Sequence, residues 1–280
     1  MSARIAVLSL VALVSCRDPA PANSAEHRSP SSAQPTPAPS ARPVAQPQPQ
    51  PQPQPAAPSA PTAPGQSEYV EVLVGPDPGP AGRVVIIAIH GLGDTPESFV
   101  NWLRATPVSA RVLAMRGTES FGNGFAWWLP GGSEESVARA IDRAATTIAT
   151  RVRSKLDAGR CGKPIVLGFS QGGMVSFAIA ARGNLDVRLV MPIGGRLPLE
   201  NRGVTRAAGM RPTVRAFHGE ADERMPIIGA RTTIDALARQ GMDATLRSFA
   251  GVGHSIPDEM RQAVFSEIER TAREGGCLAR

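Results

Sequence analysis

Apolar positions along the chain follow two rhythms. Residues 69–74 (Tyr-Val-Glu-Val-Leu-Val) alternate, which predicts a strand with one solvated face at a sheet edge. Residues 84–89 (Val-Val-Ile-Ile-Ala-Ile) are continuously apolar and mostly β-branched, the pattern of a strand covered on both faces. Further strands are predicted at 111–114, 164–168, 189–193, 213–217 and 244–249. Between them the spacing becomes helical. Ser133 is placed to cap a helix with Glu134 and Glu135 in its first turn; Val137, Ile141, Ile148, Val152 and Leu156 form its apolar stripe, and Gly159 is the predicted stop. Shorter helices are predicted over 97–105, 172–181, 227–240 and 258–272. Strands that alternate with helices in this way predict an α/β fold, with a mostly parallel central sheet of about seven strands flanked by helices.

The first 67 residues break both rhythms. Fifteen of the 27 prolines fall there, and residues 46–55 alternate proline with glutamine. Such a segment buries too little apolar surface to offset its ordering entropy, and proline biases it toward extended polyproline II. Ahead of it, Arg4 precedes a short apolar run, 5–14, which ends in Leu13-Val14-Ser15-Cys16. The run is too short to span a bilayer and long enough for an export signal. Its end is similar to a bacterial lipobox, which implies that Cys16 becomes lipidated and N-terminal after cleavage. The expected organisation is therefore a lipoprotein signal peptide at 1–16, a Pro/Gln/Ala-rich tether at 17–67 and a folded domain at 68–280. The expected location is the bacterial cell envelope, held by a lipid anchor on a membrane; a cleaved, secreted form is the alternative.

The formal charge is +6, but its arginines are scattered and only Lys155 and Lys163 are lysines. With no basic helix and no aromatic-interleaved patch, nucleic acid is not an expected partner. No His/Asp/Glu group has ligand spacing, so no metal is expected.

One string concentrates the chemistry: Gly168-Phe169-Ser170-Gln171-Gly172, between a buried strand and a helix. G-x-S-x-G in that context describes a nucleophile elbow, with glycines where side chains would collide and the serine Oγ pushed out over the sheet. A serine needs a base and an acid that orients the base. His27 lies in the tether, which leaves His90, His218 and His254. The hydrolase order of nucleophile, acid, histidine selects Ser170, Asp222 and His254, with Glu220 and Glu223 as neighbouring rivals to the acid. The oxyanion donors are expected to be the backbone N–H groups of Leu92, in His90-Gly-Leu-Gly-Asp94, and Gln171.

These four ordered motifs (His90-Gly-Leu-Gly-Asp94, Gly168-Phe-Ser-Gln-Gly-Gly173, His218-Gly-x-x-Asp222 and Gly251-x-Gly-His254) resemble the phospholipase/carboxylesterase family of serine hydrolases, which includes acyl-protein thioesterases. The resemblance spans roughly 84–268. It implies an α/β-hydrolase fold with little or no lid and cofactor-free hydrolysis of esters or thioesters through an acyl-enzyme. A peptidase or polyester depolymerase on the same triad, or a noncatalytic surface-binding lipoprotein, are the alternatives. The sequence departs from the family in its export signal and in a loop where Phe121, Phe125, Trp127 and Trp128 crowd into eight residues between Gly117 and Gly131. Phe125, Trp127 and Trp128 are candidates for the wall of a substrate pocket; a small satellite core under the loop is the competing reading. Finally, Cys161 precedes the nucleophile strand, and the last helix runs back from His254 toward the same sheet edge, near Cys277. In an exported protein this predicts a Cys161–Cys277 disulfide, against two free thiols.

Overall fold

In the computed structural model the described residues are 67–77, 82–156, 161–198 and 211–278. They all fall in the second of the two units into which the chain divides, Pro55–Arg280. The expected signal peptide, Cys16 and almost all of the expected tether lie outside them.

Nine strands and five α-helices follow one another among these residues: β1 (Tyr69–Val74), β2 (Val84–Ile89), α1 (Pro96–Val100), β3 (Ala110–Met115), β4 (Glu119–Phe121), β5 (Gly124–Ala126), α2 (Glu134–Arg153), β6 (Ile165–Phe169), α3 (Gln171–Arg182), β7 (Leu189–Ile193), β8 (Thr213–Gly219), α4 (Ile227–Arg239), β9 (Ala244–Phe249) and α5 (Asp258–Glu274). Seven strands form one sheet in the order β1-β3-β2-β6-β7-β8-β9. Only β1 runs antiparallel, pairing Tyr69 with Met115 and Val74 with Ala110. Its alternating sequence suits an edge strand with one wet face; the unbroken apolar sequence of β2 suits the interior, between β3 and β6.

Two apolar layers sandwich the sheet, and residue parity sorts the strands between them. Val85, Ile87 and Ile89 of β2 pack with Ile141 and Ile148 of α2 and with Val175 and Phe177 of α3. Val84, Ile86 and Ala88 face the other way, onto Phe99 beside α1's end and Val264 and Ile268 of α5. Full burial of each Val, Ile or Phe side chain among these stabilises the fold by ~1.5–3 kcal/mol. This is the alternation of strand faces expressed as two cores.

Three local expectations are corrected. The helix over 97–105 is two pieces: α1, capped by Thr95 Oγ1 accepting from Ser98 N–H at 3.1 Å, and a 3-10 turn Asn101–Ala105. The second helix ends at Arg153 rather than Gly159. Its last turn tightens through Lys155 N–H to Val152 O at 2.7 Å, and the Lys155 carbonyl is taken by Arg111 Nη1. The loop around 117–131 contains an antiparallel hairpin, β4–β5, turning at Gly122 and Asn123. Gly122 adopts φ 58°, where glycine carries no Cβ penalty.

Cys161 and Cys277 are disulfide-bonded, with Cα atoms 5.4 Å apart across a sequence separation of 116. Cys161 leads into β6 and Cys277 follows α5, so the bond closes the sheet edge remote from the elbow.

Candidate active site

Ser170 sits between β6 and α3 with φ 57°, the only non-glycine residue at positive φ among the described residues. Two glycines make the turn possible. A Cβ on Gly172 would meet Ile89 O at 2.0 Å, and one on Gly168 would meet Gly172 O at 2.2 Å. The strained conformation is held by Ser170 N–H donating to Ile193 O at 2.9 Å and by α3 continuing from Met174 N–H to Ser170 O at 3.0 Å.

The structure brings the three triad candidates together from three separate strand ends. Ser170 Oγ lies 2.9 Å from His254 Nε2, and His254 Nδ1 lies 2.7 Å from Asp222 Oδ2. The geometry fits one tautomer: Nδ1–H donates to the carboxylate, and Nε2 accepts from the hydroxyl. Asp222 is held in turn, because its Oδ1 accepts the N–H groups of Arg224 and Met225 at 3.1 and 2.9 Å. The rival acids point elsewhere. Glu220 is exposed and accepts from Ser248 Oγ at 2.6 Å, and Glu223 is exposed. Beneath the imidazole, the Phe169 ring lies 4.8 Å from the His254 ring, a contact that sequence reasoning did not single out.

The other two histidines are structural, and burial pushes both below the ordinary imidazole value. His90 donates from Nδ1 to Gly91 O at 2.7 Å and accepts from Gly117 N–H at Nε2, 3.1 Å. His218 donates from Nε2 to Met225 O at 2.6 Å, while Nδ1 has no protein partner. Each ties one loop of the carboxyl edge in place: the first the Gly91 loop, the second the Asp222 loop.

The Gly91–Asp94 loop borders the nucleophile, since a Cβ on Gly91 would lie 3.3 Å from Ser170 Cβ. Neither Leu92 N–H nor Gln171 N–H donates to a backbone carbonyl among the described residues. Both are thus available to an oxygen bound beside Ser170. The loop is clamped from outside by the hairpin. Gly93 N–H donates to Phe125 O at 2.8 Å, and Phe125 N–H donates to Asp94 O at 2.9 Å.

The aromatic loop divides by residue. Trp127 belongs to the core: it is 3% exposed and its Nε1–H donates to His90 O at 3.0 Å. Phe125 lies against the Arg116 guanidinium, 4.7 Å from ring centre to Cζ. Trp127, Trp128 and Leu129 line one side of a cavity of about 460 Å³, with Arg143, Ala144 and Thr147 of α2 opposite. Phe125, Ser170 and His254 do not line it. Trp127 thus packs in the core and also, with Trp128, faces this cavity, while Phe125 is no part of its wall. Among the described residues, no group of three His, Cys, Asp or Glu could hold a metal ion.

Comparison with known proteins places this geometry. The phospholipase/carboxylesterase family model matches residues 74–272. An acyl-protein thioesterase 1 from Gibberella zeae is 25% identical over 203 residues, covering 62% of this chain and 85% of the relative. Among solved structures, esterase PE8 superposes with a TM-score of 0.62 at 18% identity, covering 73% of this chain and 99% of its own. Acyl-protein thioesterase 2 from Zea mays gives 0.56 at 19%, covering 72% and 98%. A carboxylesterase from Bacillus cereus gives 0.56 at 14%, covering 72% and 94%. These neighbours share the α/β-hydrolase fold, and the match of the family model across most of the domain assigns the chain: it belongs to the phospholipase/carboxylesterase family.

Proposed function

We propose that the protein hydrolyses carboxylic esters through an acyl-enzyme formed on Ser170. Ser170 Oγ attacks the ester carbonyl while His254 Nε2 takes its proton. Asp222 fixes the tautomer and stabilises the imidazolium, and the N–H groups of Leu92 and Gln171 receive the oxyanion. His254 then returns the proton to the leaving alcohol, and water repeats the sequence in reverse. The observation that carries this reading is the unbroken chain of 2.9 and 2.7 Å contacts from Ser170 through His254 to Asp222. Ser170→Ala is expected to reduce kcat/KM for p-nitrophenyl butyrate by about 10⁴-fold or more, with loss of fluorophosphonate labelling. A variant as active as wild type refutes the assignment. The printed name of the Gibberella zeae relative makes thioesters the second substrate class to assay.

The location is part of the proposal. The apolar run 5–14 and Cys16 support an exported enzyme anchored by a lipid on Cys16 to a bacterial membrane, with 17–67 as spacer. The Cys161–Cys277 bond suits an oxidising compartment. Mass spectrometry of the mature N-terminus tests it: an acylated Cys16 is expected, and a free N-terminus further along the tether refutes the anchor.

A further inference from the structure

Gln171 has a buried side chain that the reaction as written does not use. Its Oε1 accepts from Trp127 N–H at 3.0 Å, and its Nε2 donates to Trp128 O at 2.9 Å. This donor–acceptor pair fits only one orientation of the amide, whose oxygen and NH₂ supply the two halves. The partners belong to the segment that continues β5. The same segment is also tied to the oxyanion loop, through the two Gly93–Phe125–Asp94 hydrogen bonds at its other end and through Trp127 Nε1 to His90 O. One strap, Phe125–Trp128, therefore touches both loops that carry the oxyanion donors: the Leu92 loop and the elbow of Gln171. Those loops come from the ends of different strands, β2 and β6, and each carries a single N–H.

We propose that the Gln171 side chain is a positioning residue, and that by clamping Trp127 and Trp128 it sets the spacing of the Leu92 and Gln171 N–H groups. The physical requirement is strict, because donors to an oxyanion act only when held in advance near 2.7–3.1 Å from it. Backbone N–H groups on loops keep that separation only if something rigid joins them. Here the Trp127 bonds to Gln171 and His90 are buried from water, where each unmade bond is costly, and the Gly93–Phe125–Asp94 pair extends the join at the half-exposed rim. The close fit leaves no slack: a Cβ on Gly124 would sit 2.4 Å from Gly93 O. The inference rests on the reading of these two N–H groups as the oxyanion site.

The test replaces the amide with an apolar group of similar length. Gln171→Met keeps the backbone N–H and removes both clamp bonds. It is measured per active site, titrated to completion with a fluorophosphonate. Expected are a fall in kcat of about tenfold to hundredfold, a KM within about twofold of wild type, and a parallel loss of affinity for a boronic acid that mimics the tetrahedral adduct. A residue that serves folding alone would lower the unfolding midpoint while leaving kcat per titrated serine and boronate affinity unchanged, and that result overturns the proposal. Should Gln171→Met fail to fold, Gly124→Ala decides. It forces the strap from the oxyanion loop at its other attachment and must give the same kcat-selective loss; an unchanged kcat overturns the proposal. Wild-type turnover that persists in Ser170→Ala would instead refute the hydrolase reading, so the two failures are distinct.

Discussion

The two edges of the sheet are built from the same strands and helices but by opposite means. At the carboxyl edge the chain makes Ser170 the one non-glycine residue at positive φ among the described residues, buries His90, His218, Asp222 and Gln171, and spends its glycines where backbones nearly touch. At the amino edge it uses a covalent bond, Cys161–Cys277, with ordinary surface ion pairs such as Lys163–Asp186 and Arg188–Glu274 nearby. The difference teaches that the carboxyl edge carries strain and buried polarity for chemistry, while the amino edge compensates in stability. Substitutions at the two edges should therefore separate activity from stability.

The largest effect is expected from Gly172→Ala. Its new Cβ would fall 2.0 Å from Ile89 O, a backbone atom of a central strand that cannot retreat. A loss above about 3 kcal/mol follows from a rigid overlap of this kind. Soluble protein with a wild-type denaturation midpoint would show that the elbow is looser than drawn.

Next comes the other edge. Cys161→Ser paired with Cys277→Ser opens a loop of sequence separation 116, and removing such a bond is expected to cost about 2–5 kcal/mol. Below its lowered midpoint the variant should keep wild-type kcat, because neither cysteine lies near Ser170. An equal loss in kcat would mean the two edges are coupled and would erase the contrast.

Smaller still is Ser170→Gly. Removing a Cβ at φ 57° relieves roughly 1 kcal/mol of backbone strain, offset in part by the greater entropy of an unfolded glycine. Activity should vanish while the melting temperature holds or rises slightly; a clear fall would mean that the serine side chain stabilises the fold rather than straining it.

How much of this was legible depends on whether neighbours in sequence or in space set the outcome. The buried run of β2 and the G-x-S-x-G of the elbow announce themselves locally, because a two-faced strand and a collision-free turn each constrain consecutive residues. The order Ser170, Asp222, His254 could be read because strand order fixes which loops share an edge. The hairpin was also written, in Phe121-Gly-Asn-Gly-Phe125, whose Gly122-Asn123 step is a two-residue turn signal that neither the pocket nor the satellite-core reading of the aromatics uses. What no local pattern reveals is the second use of Gln171. Its bonds reach 44 and 43 residues back along the chain, so only the folded structure brings donor and acceptor together. The same holds for Phe169, whose ring meets His254 only in the folded chain.

The smallest prediction concerns acid, and it again divides the edges. His90 and His218 are held below the ordinary imidazole value of 6.5, chiefly by burial, against the raising influence of their backbone hydrogen bonds. Their native environment shows why. A second proton on His90 would place an N–H at Nε2 against Gly117 N–H, and one on His218 would bury a cation at an Nδ1 without a protein partner, although Asp222 nearby opposes this in part. The unfolded chain therefore binds more protons than the native one as pH falls through 6.5, and stability must decline from that point downward; it is present in full above it. Asp243, held low chiefly by its hydrogen bonds from Arg215, works in the same direction, but only below the ordinary carboxylate value of 3.8. Denaturant unfolding at pH 7.5, 5.5 and 4.5 should thus show a loss that begins in the histidine range. His218→Gln should flatten that slope, and Asp243→Asn should leave it unchanged above pH 5. A wild-type profile flat from pH 7.5 to 5 would mean that neither buried imidazole is kept neutral by the fold, and that the carboxyl edge tolerates charge as readily as the surface does.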